Sequence, residues 1–503
     1  MLEPHAALGQ MLIRAKLVTE EDVAAALERM KALGGRLGEN LVAIGAIRPD
    51  ALDNFIHRTP APPKDIAATG IDDTELLALL MKLIYVGRLE KVGQCADAIK
   101  LPQPIVMDLA NMAIDRQLLY TLVSHNSDSI LDRRFALTDE GRRWAVDALQ
   151  RSGYVGPAPV SLADFIERVN LQKPTNERIT PEGIRNAIGD LVIGDNMIEQ
   201  IGPALSSGRS MLLYGPPGNG KSSVAKSFAS VFQDQIYVPH AIIVEGQIIR
   251  VYDPRIHFSF GPAEGSAQNE ELSCFRRETY DQRWVSCRRP FVIAGGELTL
   301  DMLDLRYDST GHYYEAPLHM KALGGCFFID DFGRQFVRPR DLLNRWIVPM
   351  ESKVDYLKLH TGASFRIPFE ELIIFATNLE PEELIDSAFL RRIPYKVEVG
   401  APDLEQYRQI FETECMRHDI ALSDEVFDFI VYMVREEKGM ELAGFHATFI
   451  LDQVAATCRF LGRDPDLRSP YIDYAIDNLR VRKAIAPEAE PHYLQGHAPK
   501  LSA

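Results

Sequence analysis

The 503-residue sequence predicts an α/β fold, a parallel sheet covered by helices, and three observations carry that expectation. The first is Gly215-Pro216-Pro217-Gly218-Asn219-Gly220-Lys221-Ser222, a complete G-x-x-x-x-G-K-S phosphate loop between an apolar run, Met211–Tyr214, and a helix-forming one that opens with Ser223. The second is a pair of buried-strand patterns, Cys326–Ile329 ending in Asp330-Asp331 and Leu372–Thr377 ending in Asn378. The third is the alternation of such runs with helical stretches from about 161 to 483, the pattern of a covered parallel sheet.

Composition bounds what surrounds that sheet. The chain is too long for one hydrophobic core, and 46% apolar with 25% charged residues is ordinary for globular domains, so about two to four are expected. A net charge of −16 argues against general affinity for nucleic acid or anionic membrane and favours protein partners. The six cysteines form no C-x-x-C pair and have no histidine at ligand spacing, which predicts reduced thiols rather than zinc or disulfides. No basic leader with an apolar stretch opens the sequence and no membrane-length apolar run occurs, so a cytoplasmic protein without membrane insertion is expected.

Residues 1–59 contain an internal repeat. Leu8-Gly9-Gln10-Met11-Leu12-Ile13 and Leu37-Gly38-Glu39-Asn40-Leu41-Val42 each begin a small helical hairpin, with helix starts at Thr19-Glu20-Glu21-Asp22 and Arg48-Pro49-Asp50. This resembles the N-terminal domain of type II secretion and pilus ATPases. The resemblance implies either a docking domain or, where tandem R-L-G units are complete, cyclic di-GMP binding. The second unit, Arg36 to Ile47, is complete, whereas the first has Ala7 for the arginine and Lys16 for a glycine. Losing a guanidinium removes a charge-assisted contact and favours docking.

Pro60-Ala61-Pro62-Pro63 reads as a flexible linker to a segment at 70–152. Its apolar stripe Leu76, Leu77, Leu80, Leu83, Ile84, two further helices, a strand pair ending at Arg134–Leu137 and a last helix opened by Thr138 resemble a winged-helix domain. The helix that would enter a DNA groove, Ile105–Arg116, carries Asp108 and Asp115 against one arginine, so protein contact is expected over DNA. The wing arginines Arg133 and Arg134 argue the other way. Gly153–Pro159 reads as a second linker, and 484–503 as a disordered tail.

In the sheet region, the three glycines of the phosphate loop let backbone N–H groups close around nucleotide phosphates, Lys221 adds a point charge and the Ser222 hydroxyl can ligate Mg2+. Asp330 and Asp331 close an apolar strand as a Walker B element does. Asn378 ends a neighbouring strand, where it is either a γ-phosphate sensor or a plain strand cap. Arg391-Arg392 follows, at the end of Asp386-Ser387-Ala388-Phe389-Leu390.

This series, over roughly 161–483, resembles the AAA+ ATPases. The resemblance implies a P-loop core at 161–400 and a helical lid at 401–483, ATP and Mg2+ as ligands, and magnesium held by Ser222 and Asp330. It implies that Asp331 stands where a water-polarising glutamate is usual, that Asn378 senses the γ-phosphate, and that Val192 and Ile193 pack on adenine unless they are simply core. Arg391 or Arg392 would reach a neighbouring subunit's site, the other pairing with a carboxylate, and a finger acting in trans implies a ring, expected to be a hexamer. The hairpin at Val354–Pro368, turning at His360-Thr361-Gly362, resembles the pre-sensor-1 branch of the class. A second hairpin, Tyr237 to Tyr252, turns at Glu245-Gly246-Gln247, and both could reach a ring's channel. Leu305–Tyr314 offers three tyrosines that grip a substrate or pack on their own domain. In the lid, Gly444-Phe445-His446 lacks the usual arginine, leaving Arg459 as a substitute or a lid less dependent on nucleotide.

The expected function is an ATP-hydrolysing motor that remodels or assembles a protein target recruited by the N-terminal domains, with a link to secretion or pilus-type machinery. The alternatives are a DNA-acting ATPase or transcription regulator using the winged helix, and a nucleotide-gated switch slowed by the short Asp331 side chain.

Overall fold

The computed structural model describes residues 8–9, 12–13, 17–34, 37–49, 51–52, 55, 59–122, 134–259, 280–384, 390–467 and 469–479. Ala7, Lys16, Arg36, Arg133, residues 385–389 and the 484–503 tail, on all of which expectations were placed, lie outside them. The chain divides into two compact units: 1–189, 195–215 and 221–399 form one, and 190–194, 216–220 and 400–503 the other.

In the first unit the repeat has a clear packing logic. Thr19 caps the helix Glu20–Leu33 in a reciprocal box, its hydroxyl accepting from the Asp22 N–H while the Asp22 carboxylate accepts from its own. Leu12, Val18, Val23, Ala26, Leu37, Leu41, Ile47 and Leu52 share one small core. A Cβ on Gly9 would lie 2.7 Å from Val23, and one on Gly38 2.9 Å from Leu52. The repeated Leu-Gly pair is thus the point where each copy admits an apolar side chain of the helix that follows it.

Helices Asp73–Gly87, Val92–Ile99 and Gln103–Asp115, the antiparallel strands β1 (Leu119–Leu122) and β2 (Arg134–Leu137), and the helix Asp139–Arg151 follow in that order. Gly141 is required here, because a Cβ would meet the Leu118 carbonyl oxygen at 2.0 Å. The two segments expected to be linkers are docked instead. Pro60 and Pro63 are buried and the Pro60 carbonyl accepts from Asp281 N–H at 2.9 Å. Tyr154 and Ala158 enter the same core as Leu76, Leu109, Ala241 and Ile248, which removes the solvent exposure that a flexible connector needs.

The remaining strands are β3 (Val160–Ser161), β4 (Met211–Tyr214), β5 (Gln235–Pro239), β6 (Ala241–Val244), β7 (Gln247–Arg250), β8 (Trp284–Arg288), β9 (Phe291–Ala294), β10 (Arg306–Asp308), β11 (Tyr313–Glu315), β12 (Cys326–Ile329), β13 (Val354–Lys358), β14 (Ser364–Pro368), β15 (Leu372–Thr377) and β16 (Tyr395–Glu398). The principal sheet is ordered β16-β4-β15-β12-β9 and every pairing in it is parallel. Its inner strands β4, β15 and β12 are nearly continuous apolar runs, as burial on both faces demands. A second, mixed sheet is ordered β10-β11-β7-β6-β3.

Both expected hairpins exist. The first is shorter, β6–β7 alone, and its turn is Glu245-Gly246, both at positive φ, the I′ geometry that matches strand twist. Tyr237 belongs to β5, paired with β8, and β6 and β7 are held on their outer sides by β3 and β11, so only the turn is free. The second is β13–β14, as the alternation predicts. Its tip is tied down: the His360 N–H donates to the Tyr314 hydroxyl at 2.9 Å, and the His360 ring stacks on Tyr307 at 4.2 Å. Tyr313 in turn packs edge-on against Tyr154. The tyrosines of Leu305–Tyr314 pack on their own unit rather than standing free to grip.

At the β14–β15 junction Glu371 is buried and neither side-chain oxygen meets a hydrogen-bond partner from another of the described residues. Burial raises its pKa well above the ordinary 4.5, Lys353 opposing and the Asp355 and Glu370 carboxylates adding. Nearby Asp355 shows the opposite outcome. Burial pushes it up, but hydrogen bonds from His319 and Arg345 hold it at about 2. Because folding raises the Glu371 pKa, its contribution to stability declines as pH rises above 4.5. Glu371→Met is therefore expected to raise the melting temperature at pH 7.5, with a gain that shrinks as pH falls toward 4.5. A gain independent of pH would show that the carboxyl is not held neutral.

The second unit is helical: Leu404–Arg417, Asp424–Tyr432, Phe445–Phe460 and Ser469–Asn478 pack around Tyr407, Phe411, Ile430, Ile450 and Val454. No helix among the described residues is long and apolar enough to cross a membrane. Cys95, Cys287, Cys326, Cys415 and Cys458 are buried and free.

Candidate nucleotide site

The order of the principal sheet makes β4 a switch point. The chain runs from β4 to the far edge at β9, returns through β12 and β15 and crosses to β16 on the other side of β4, and in open α/β sheets ligands gather outside the carboxyl ends of strands at such a point. The phosphate loop begins there. Gly215, Gly218 and Gly220 sit at φ 133, 81 and 84, and a Cβ on Gly215 would lie 2.6 Å from the Val399 carbonyl oxygen, so glycine is required by both conformation and space.

In the first unit, Lys221 is buried and its Nζ donates to the Gly215 carbonyl at 2.8 Å. Burial lowers its pKa, while the carboxylates of Asp331 and Asp330 pull it up. The Ser222 hydroxyl donates to Asp330 Oδ1 at 2.8 Å, joining residues 108 apart in sequence. The same oxygen accepts from the Asp331 N–H at 3.0 Å. Asp331 is exposed, at φ 49, and its Oδ1 accepts from Asn378 Nδ2 at 3.2 Å. The turn carrying the two aspartates is pinned to β15: Phe332 N–H donates to the Ala376 carbonyl and the Thr377 hydroxyl to that of Phe332. Ser223 is exposed. Glu297, beyond the end of β9, accepts from the Gly295 N–H at 3.0 Å, a contact that lowers its pKa.

The two arginines differ. Arg392 Nε lies 2.6 Å from Glu351 Oε1, whereas Arg391 is exposed.

In the second unit, Pro216, Pro217 and Gly218 are exposed and Asn219 and Gly220 half-buried. Val192 and Ile193, half-buried, belong to the same unit. Asn219 Oδ1 accepts from the Gly444 N–H at 3.1 Å and the Gly218 carbonyl from that of Phe445 at 2.9 Å. A Cβ on Gly218 would lie 2.3 Å from the Phe445 ring. These contacts, invisible in the sequence, stand at the turn where the resemblance implies a lid arginine. Arg459 does not replace it. It lies in the last turn of the helix that Phe445 begins, roughly 20 Å along the axis at 1.5 Å per residue.

The donor set fits a magnesium nucleotide, since a hydroxyl and a carboxylate converge beside a buried lysine and carry only oxygen ligands. Ser222 and Asp330 would hold the metal.

One family, described as a domain of unknown function (DUF8689), matches residues 403–478. No curated protein matches in sequence. Among solved structures, a RuvB mutant of Thermotoga maritima is similar at 14% identity and a TM-score of 0.31, over 61% of this chain and 73% of that one. NtrX from Brucella abortus is similar at 14% identity and a TM-score of 0.34, over 74% and 67%. At such scores the fold assignment rests on this chain's own strand order.

Proposed function

We propose that this chain is an ATPase of the AAA+ class that works as a ring, expected to be a hexamer, on a protein target recruited by its N-terminal domains. The observation that carries the reading is the convergence of Lys221, Ser222, Asp330, Asp331 and Asn378 at the carboxyl ends of β4, β12 and β15. Each residue has a task. Lys221 leaves the Gly215 carbonyl to neutralise a terminal phosphate, and the loop N–H groups orient the others. Magnesium, when bound, neutralises phosphate oxygens. Asp331 accepts a proton from the attacking water, and Asn378 fixes the carboxylate that does so. Arg391, exposed, acts on a neighbouring copy's nucleotide. Catalysis on this account is positioning plus electrostatics. A link to secretion or pilus-type machinery rests on the N-terminal repeat, and cyclic di-GMP remains secondary there. A DNA-acting role is disfavoured by the outward face of Gln103–Asp115, where Asp108 and Asp115 are exposed.

Lys221→Ala is the test of the site. The loop backbone alone cannot hold a tetraanion, so calorimetric titration is expected to show no ATP binding. Affinity equal to that of the unaltered protein would remove the assignment.

A further inference from the structure

The turn after the two aspartates continues into a loop whose alternate residues face outward. Arg334, Phe336, Arg338 and Arg340 are exposed, Phe336 by 88%, while Gln335, Val337 and Pro339 turn inward. Gln335 bridges the Asp330 carbonyl and the Gly333 N–H, the Phe336 N–H donates to the Gly296 carbonyl, and Val337 packs on the core around Trp346. Nothing in this holding pattern needs a phenyl ring or cations on the outside. The guanidinium groups of Arg334 and Arg340 carry no partner among the described residues, and Arg338 pairs only with Asp341, itself 39% exposed. Pre-positioned aromatic and arginine side chains are the composition of interface hot spots.

The other side of the same sheet end is acidic. Register places Thr377, Tyr214 and Glu398 in one row across β15, β4 and β16, and Glu380 and Glu382 follow just beyond Thr377. All three glutamates are exposed and have no cationic partner among the described residues. Desolvation, and then the charges of Glu398, Glu380 and Glu382, raise the pKa of the Tyr214 phenol. Among the described residues the carboxyl end of the sheet therefore has Glu380, Glu382 and Glu398 without cationic partners on the β16-β4-β15 side and Arg334 and Arg340 without anionic partners on the β12-β9 side. A surface carrying both halves of a complementary pair on opposite sides suits head-to-tail association that closes into a ring.

We infer that the Arg334–Arg340 loop docks on the Glu380, Glu382 and Glu398 rim of a second copy of this chain, with Phe336 as its anchor. The inference rests on the proposed ring and names its contact. The experiment is sedimentation velocity with a non-hydrolysable ATP analogue, comparing the unaltered protein with two charge-reversed variants, R334E/R338E/R340E and E380K/E382K. Each variant alone is expected to associate at least about tenfold more weakly, and an equimolar mixture to regain the assembly, because an acidic loop then meets a basic rim and a basic loop an acidic one. Calorimetric nucleotide binding establishes that each variant is folded. Should either fail to fold, Phe336→Ala, which removes only an exposed ring, tests the same surface and is expected to weaken association likewise. Assembly of either reversed variant at unaltered strength, or a mixture that does not recover, overturns the docking contact. An unaltered protein that does not assemble overturns the ring itself. A loop variant that assembles normally but loses binding to a fluorescent single-stranded oligonucleotide assigns the loop to nucleic acid and also overturns the inference.

Discussion

Arg391→Ala is expected to lower ATP turnover by about 10³-fold or more while leaving ATP affinity unchanged, as for a guanidinium acting in trans on charge developing at the transferred phosphoryl group. The expectation falls on Arg391 because Arg392 is committed to Glu351 at 2.6 Å whereas Arg391 is exposed. Arg392→Ala is the control. It breaks a partly exposed ion pair of about 1 kcal/mol or less and lowers the melting temperature slightly, with turnover kept. Phosphate release and a thermal melt on the two variants separate the roles, and equal turnover in both would remove the finger.

Asp331→Asn is expected to bind ATP and hydrolyse it about 10²- to 10⁴-fold more slowly, because an amide cannot accept the proton of the attacking water. The substitution leaves the backbone undisturbed. Asp331 sits at φ 49, a conformation that asparagine tolerates as well as aspartate does, and the amide oxygen can still accept from Asn378. Calorimetry alongside single-turnover phosphate release reads both halves of the prediction. Normal turnover would move the base to Asp330 or to Glu297.

What the sequence made legible was chemistry carried by local spacing. The phosphate loop, the aspartate pair after Cys326–Ile329 and the asparagine after Leu372–Thr377 are each set by a few neighbouring residues, and the glycines of the loop are needed for reasons the backbone states directly. The β13–β14 hairpin followed from alternation. Contacts between distant residues were not legible. Nothing local says that the Pro60 carbonyl meets Asp281, that Tyr314 holds His360, or that Gly444 and Phe445 clasp Asn219 and Gly218, since each pairing depends on how separate elements pack. Proline-rich composition suggested flexibility at 60–63 because exposure was assumed, and burial reverses that inference. The Arg334–Arg340 loop is not legible for a different reason. Its alternation resembles an ordinary solvated face until the inward anchors Gln335 and Val337 are seen.

Steady-state turnover in mixtures tests the shared-site account most directly. Lys221→Ala, which cannot bind ATP but keeps Arg391, is titrated into Arg391→Ala, which binds ATP but lacks the finger, at a fixed total concentration. Activity well above the sum of the two separate proteins is expected, because an intact nucleotide pocket can then borrow an intact arginine from its neighbour. A mixture no more active than its parts, or an unaltered protein whose specific activity is the same when diluted to monomer, contradicts the account.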